Sequence, residues 1–288
     1  ICEGLVGSEM CIRDRITNYP FIKEASIVGD KSIYHVHFKG DSAYLSCGFG
    51  IVVLNTDLVE SPATYFFNTI AGTQIRVNAV STQANSIYAA TEEGLYVADL
   101  SNPLLEDFSN WTLQDITTGL PTGEIKTVVN FNGDMVAQFN DSLYRLGNTW
   151  EKFYGDTSWS IEYVRESNGN LVIIEEHGSQ SPRITIIAED GTTTTLIDDV
   201  YIIAPMEALV DEDGTVWIAD LIRGLLKIKD GETNAFNPDG PFTSKVFEMA
   251  SFNDKVWVAP GEVSPNWNVI FNRDGFFRFT GDSWRNYN

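Results

Sequence analysis

The 288 residues, 43% of them hydrophobic and 12% aromatic, are enough to bury a sizeable core and too apolar for a disordered chain. With 19 Lys and Arg against 40 Asp and Glu, the net charge of -21 repels nucleic-acid backbones and anionic membrane surfaces unless a local patch reverses it. Apolar runs such as Ile51–Leu54 and Leu171–Ile174 fall far short of the ~20 residues that a membrane-crossing helix needs.

In chain order, residues 1–15 come first and read unlike the rest, with neither strand alternation nor a helical stripe. The string Gly4-Leu5-Val6-Gly7-Ser8-Glu9-Met10-Cys11-Ile12-Arg13-Asp14-Arg15 resembles a translated sequencing-adaptor artefact, so 1–15 is expected to be a disordered, non-native leader. Setting it aside removes Cys2 and Cys11 and leaves Cys47, which rules out an internal disulfide and any zinc-type ligand spacing. An export compartment is permitted without being required.

From residue 16 onward the chain repeats. One unit runs Gly40-Asp41-Ser42-Ala43-Tyr44-Leu45-Ser46, then Gly48–Leu54, and closes on Thr64-Tyr65-Phe66-Phe67. The next runs Asn85–Thr91, then Glu92–Val97, and closes on Trp111-Thr112-Leu113. Phe131–Val136 leads to Ser142–Leu146 and Trp150, and a weaker unit pairs Asn168–Ile173 with Arg183–Ile187. Asp213–Ile218 leads to Gly224–Ile228 and Phe236, and Phe252–Val258 leads to Gly275–Phe279 and Trp284. Taking Tyr44, Tyr88, Val136, Val172, Trp217 and Trp257 as equivalent, the steps are 44, 48, 36, 45 and 40 residues, the spacing of four-stranded blades. The expectation is an all-β chain, a β-propeller with six blades present of seven, spanning 16–288 as one incomplete propeller. Ile16–Ala25 is then a remnant of the preceding blade, and a propeller short of a blade is expected to be less stable than a complete one.

Local chemistry explains the units. Asn132-Gly133, Asn168-Gly169 and Asp213-Gly214 supply the positive φ of tight hairpins, and Gly94 and Gly224 serve the following hairpin. Trp111, Trp150 and Trp284 are expected to pack on neighbouring blades, which accounts for the aromatic content without a ligand.

Segments that could carry chemistry have simpler explanations. Asp211-Glu212-Asp213-Gly214 is oxygen-rich, as calcium loops are, but lacks the twelve-residue spacing with a distal bidentate Glu and falls at a hairpin turn. His35 and His37 alternate on one strand and face one side without a third ligand in sight, so a hydrogen-bonded strand face is expected. His177 is placed in an exposed irregular turn. No Gly-rich phosphate loop and no G-x-S-x-G elbow occurs. No catalytic residue, metal ligand or cofactor is assigned, ligand-binding residues stay unassigned, and loops such as Asp156–Trp159 and Pro265–Asn268 are candidate contact sites.

The strings Asn18–Lys23, Gly29–Tyr34, Ala43–Asn55, Ile87–Tyr96 and Leu105–Trp111 resemble the PorZ family of the Bacteroidetes type IX secretion system, and the resemblance covers most of the chain after the leader. It implies the first of two seven-bladed propellers followed by a C-terminal β-sandwich, in a non-catalytic protein exported to the cell surface or periplasm at the outer membrane. It further implies work with the PorU sortase, PorV and PorQ, and presentation of anionic lipopolysaccharide. For so acidic a chain, that ligand calls for a confined basic or cation-bridged site. The alternatives are a ligand-sensing extracytoplasmic propeller of a hybrid two-component regulator, since Asp211–Ile218 follows the sensor pattern Asp-x-x-Gly-x-x-Trp-Ile, and a generic protein-binding scaffold.

Overall fold

The computed structural model describes residues 19, 21–27, 29–58, 60–69, 72–236, 240, 241, 243, 245–264, 266–270 and 275–287. The leader, 1–15, and the first residues of the blade remnant lie outside them. The chain divides into two compact units, Ile1–Thr233 and Asn234–Asn288.

The first unit is a succession of antiparallel four-stranded sheets, each built from consecutive strands. Sheet one holds β1 (Ile33–Lys39), β2 (Ser42–Cys47), β3 (Gly50–Asn55) and β4 (Glu60–Phe66). Sheet two holds β5 (Val77–Gln83), β6 (Ser86–Thr91), β7 (Leu95–Asp99) and β8 (Thr112–Gln114), and sheet three β9 (Ile125–Phe131), β10 (Asp134–Phe139), β11 (Ser142–Leu146) and β12 (Trp150–Tyr154). Sheet four holds β13 (Ser160–Ser167), β14 (Asn170–His177), β15 (Gln180–Ile187) and β16 (Thr193–Leu196). Sheet five holds β17 (Pro205–Val210), β18 (Val216–Asp220), β19 (Gly224–Lys229) and β20 (Glu232–Phe236), within which the boundary between the units falls. The second unit carries the sixth sheet, β21 (Val246–Phe252), β22 (Lys255–Pro260), β25 (Phe276–Phe279) and β26 (Trp284–Tyr287), with a ribbon of β23 (Glu262–Val263) and β24 (Val269–Ile270) between. This is the blade architecture of a β-propeller. The six residues equated from the sequence all lie in the second strand of their sheets.

Turn chemistry sets the hairpins. Asn132 (φ 53) and Gly133 (φ 81), like Asn168 (φ 49) and Gly169 (φ 75), both take the left-handed conformation that a two-residue hairpin needs. Asp213-Gly214 works differently from the expectation, since only Gly214 has positive φ (74) and the neighbouring Asp211 carboxylate organises the turn instead. At Gly50 (φ 140) an added Cβ would lie 2.0 Å from the Tyr65 carbonyl oxygen, so the pairing of β3 with β4 excludes any other residue there.

Apolar side chains fill the spaces between successive sheets. Ile51, Val53 and Phe67 meet Val80, Ile87 and Trp111, and the Trp111 ring lies 4.8 Å from that of Phe67. Leu120, Ile125, Met135 and Trp150 meet Ala79, Tyr88 and Leu95 across the next space. Trp111 and Trp150 therefore pack between blades as expected, at 6% and 2% exposure. In the stretch read as a blade remnant, Phe21–Glu24 form a short helix, α1, and Tyr19 and Ile22, with Ile27 beyond it, lie against Ala43, Leu45 and Cys47 on the face of sheet one turned away from sheet two. A cluster of apolar residues without strand alternation has served to cover that face.

Candidate functional site

The innermost strands of the first unit, β1, β5, β9, β13 and β17, line a cleft of about 650 Å³. Pairing to each second strand puts these five strands in common register. Val36, Val80, Val128, Val164 and Ala208 occupy one level, opposite Leu45, Ala89, Ala137, Ile173 and Ile218. Four of the five are buried, and Val36 is exposed. The levels on either side vary. One carries His37, Ser81, Val129, Arg165 and Leu209, and the other His35, Ala79, Thr127, Tyr163 and Glu207. The scaffold thus holds an apolar layer constant and leaves its flanks free for polar groups.

Several polar groups of the cleft are tied to backbone. Asn78 Nδ2 donates to the Ile125 carbonyl at 2.9 Å, Asn130 Nδ2 to that of Thr82 at 3.2 Å, and Gln138 Nε2 to that of Ile161 at 2.8 Å. Each bond stitches one blade to the next. Lys126 Nζ makes a long contact of 3.5 Å to the Ile161 carbonyl. Arg165 and Glu207 instead pair side chain to side chain between β13 and β17, both nearly half exposed to the cleft. Burial and the adjacent Glu207 carboxylate push the Tyr163 phenol up to about 12, so it remains a donor.

The two strand histidines do face one side, as their alternation implies. Val80 N–H donates to His35 Nδ1 at 3.4 Å, which leaves the proton on Nε2. Burial, with the His37 and Arg165 charges, lowers the His35 pKa to about 4. His37 Nε2 lies 2.9 Å from Thr82 Oγ1, and burial lowers its pKa as well. Among the described residues no group of three His, Cys, Asp or Glu is placed to hold a metal ion.

The other segments singled out from sequence fall elsewhere. Asp211 accepts the N–H groups of Asp213 and Thr215 at Oδ1, and Trp217 Nε1 at Oδ2 at 2.8 Å, so the acidic run is a self-bonded turn. His177 ends β14 and is half-buried rather than exposed, because its ring lies 5.1 Å from that of Trp159. The loop Asp156–Trp159 brings that indole into the wall of sheet four. Of Pro265–Asn268, Pro265 lies outside the described residues, and Trp267 is 85% exposed in the second unit. Sequence reasoning passed over Lys126, Tyr163, Arg165 and Glu207. Aligning the first strand of each repeat, and not only the second, would have exposed the variable flanks.

Residues 9–112 match the family model for the N-terminal β-propeller domain of PorZ from the type IX secretion system. The first two blades are PorZ-like. The match begins inside the stretch read as a non-native leader. Among solved structures, PorZ of Porphyromonas gingivalis, described as an essential bacterial surface component of that system, aligns with a TM-score of 0.69 and 22% identity. The alignment covers 95% of this chain and 35% of that one, so the chain spans about a third of that PorZ. The extracellular domain of a protein assigned to the hybrid two-component systems of B. thetaiotaomicron aligns at TM-score 0.53 and 14% identity, over 92% of this chain and 42% of that one. A streptogramin B lyase aligns at 0.56 and 13%, over 91% and 84%. At these identities the structural likeness is one of fold, and the PorZ reading draws its sequence support from the matched blades. A comparison with curated proteins gives no match.

Proposed function

We propose that this chain is part of an exported, non-catalytic component of type IX secretion, which assembles with a PorU-type sortase, PorV and PorQ and engages anionic lipopolysaccharide. The observation that carries the reading is the match of residues 9–112 to the PorZ propeller. The cleft adds a consistent detail: Lys126 and Arg165 are confined cations in a chain of net charge -21, with Glu162 and Glu207 beside them. Retention of the purified chain on immobilised anionic lipopolysaccharide, and not on a neutral form, tests this directly. Binding should weaken in high salt or chelator, because a confined basic or cation-bridged site requires it. Binding indifferent to both refutes that site, and no binding together with no recovery of the sortase partners refutes the reading.

A sensor function is the second reading, favoured by the Asp211–Trp217 turn and by the likeness to a two-component extracellular domain. It predicts a transmembrane kinase in the same protein and a diffusible ligand for the propeller.

A further inference from the structure

We propose that the Arg165 guanidinium is a carboxylate-binding site whose resident occupant is Glu207 of the neighbouring blade, and that a small carboxylic acid entering the cleft takes the place of Glu207. Four observations carry this. First, Arg165 and Glu207 pair with side chains, whereas Asn78, Asn130 and Gln138 each donate to a backbone carbonyl of an adjoining blade; exchange at Arg165 therefore breaks no contact that holds blades together through the main chain. Second, both members of the pair line the cleft, with side chains 42% and 44% exposed, so water and solutes reach them and the pair is weakly held.

Third, Tyr163 adjoins the pair and further donors line the same cleft. Tyr163 stands beside the Glu207 carboxylate with its phenol protonated, and His35, near enough for the Arg165 charge to act on it, keeps its proton on Nε2. Lys126 Nζ, held by one long bond, lines the same cleft. Fourth, the scaffold does not need the cation. The positions equivalent to Arg165 are His37, Ser81, Val129 and Leu209 in the other blades of the unit, and those equivalent to Glu207 are His35, Ala79, Thr127 and Tyr163. A planar guanidinium suits a planar carboxylate, and Glu207 marks the geometry that the incoming group adopts. Glu162 and Glu166 also line the cleft, the latter accepting Gly169 N–H, and their negative charge opposes a second carboxylate, so weak binding of a simple acid is expected. A cleft of about 650 Å³ has room for a solute the size of a sugar acid.

The inference does not depend on the lipopolysaccharide reading, and its test contains no lipopolysaccharide. The full chain is titrated with acetate, with neutral acetamide of the same shape, and with glucuronate, while the arginine Nε–H resonances are followed by NMR. Acetate should shift the Arg165 resonance and acetamide should not. Glu207→Gln, which removes the resident carboxylate, should bind acetate roughly tenfold more tightly than the unaltered chain, and Arg165→Met should abolish binding. Tighter binding of glucuronate than acetate assigns a sugar acid as the ligand, and the reverse assigns a simple organic acid. Equal effects of acetate and acetamide, an affinity unchanged by Glu207→Gln, or full retention in Arg165→Met overturns the proposal. Should Arg165→Met fail to fold, Tyr163→Phe decides: it is expected to weaken acetate binding several-fold, and no change there counts against the site.

Discussion

Arg183 meets the fully buried carboxylate of Glu175 through two bonds, Nε to Oε2 at 2.8 Å and Nη2 to Oε1 at 2.9 Å. Tyr154 and Thr185 donate to the same carboxylate, and the guanidinium lies 4.0 Å from the Trp159 ring centroid. Removing the cation leaves a buried charge with only neutral donors. Arg183→Met should therefore cost about 3–5 kcal/mol in urea unfolding, and adding Glu175→Gln should restore part of it. A loss within ~0.5 kcal/mol would mean that the pair is not buried as described.

Asp220 closes the hairpin between β18 and β19 by accepting four backbone N–H groups, from Ile203 and Ala204 at Oδ2 and from Ile222 and Arg223 at Oδ1. Burial pushes its carboxyl up, but these bonds together outweigh burial and leave its pKa below the ordinary value. Asp220→Ala strands the donors and should cost at least ~2 kcal/mol, read as a lowered midpoint of chemical denaturation.

Acid sensitivity follows in two windows. The folded pKa of His35 is about 4 against 6.5 for the free imidazole, so the unfolded chain binds more protons between those values. Its contribution to stability is whole above about pH 6.5 and is lost as pH falls to about 4, amounting to roughly 3 kcal/mol. His37 adds to the loss in the same direction. Below that, Asp220 and the turn aspartates, whose folded pKa values are depressed, add a second loss that is absent above about pH 4. Melting temperatures from pH 8 to 3 should fall in both windows, and His35→Gln should flatten the first.

Deleting Ile1–Arg15 tests whether these residues belong to the fold. Read as a non-native leader, they should leave the melting temperature unchanged on removal. The PorZ match starting at residue 9 makes the result informative, because a drop of several degrees would show that Glu9–Arg15 contribute structure.

How much of this was legible beforehand varies by link. The blades were, because the two-residue turns Gly40-Asp41, Ala84-Asn85 and Asn132-Gly133 each lead into an apolar second strand, around Tyr44, Tyr88 and Val136, and such units recur at 36 to 48 residues along the sequence. The packing of Trp111 and Trp150 followed from the same grammar. The cleft was not, since Arg165 and Glu207 are 42 positions apart and become neighbours only when two first strands are set side by side in register. The short helix at Phe21–Glu24 was missed for a related reason: Tyr19, Ile22 and Ile27 are held by the face of sheet one, a tertiary contact that no local pattern announces.

The central claim, that the chain serves type IX secretion, is tested most directly by deleting its gene in the source bacterium and following one cargo protein that bears a sorting domain. The account predicts that the cargo accumulates with its sorting domain uncleaved and detached from the surface. Normal cleavage and attachment, with loss instead of a transcriptional response to an external solute, would contradict it and favour the sensor.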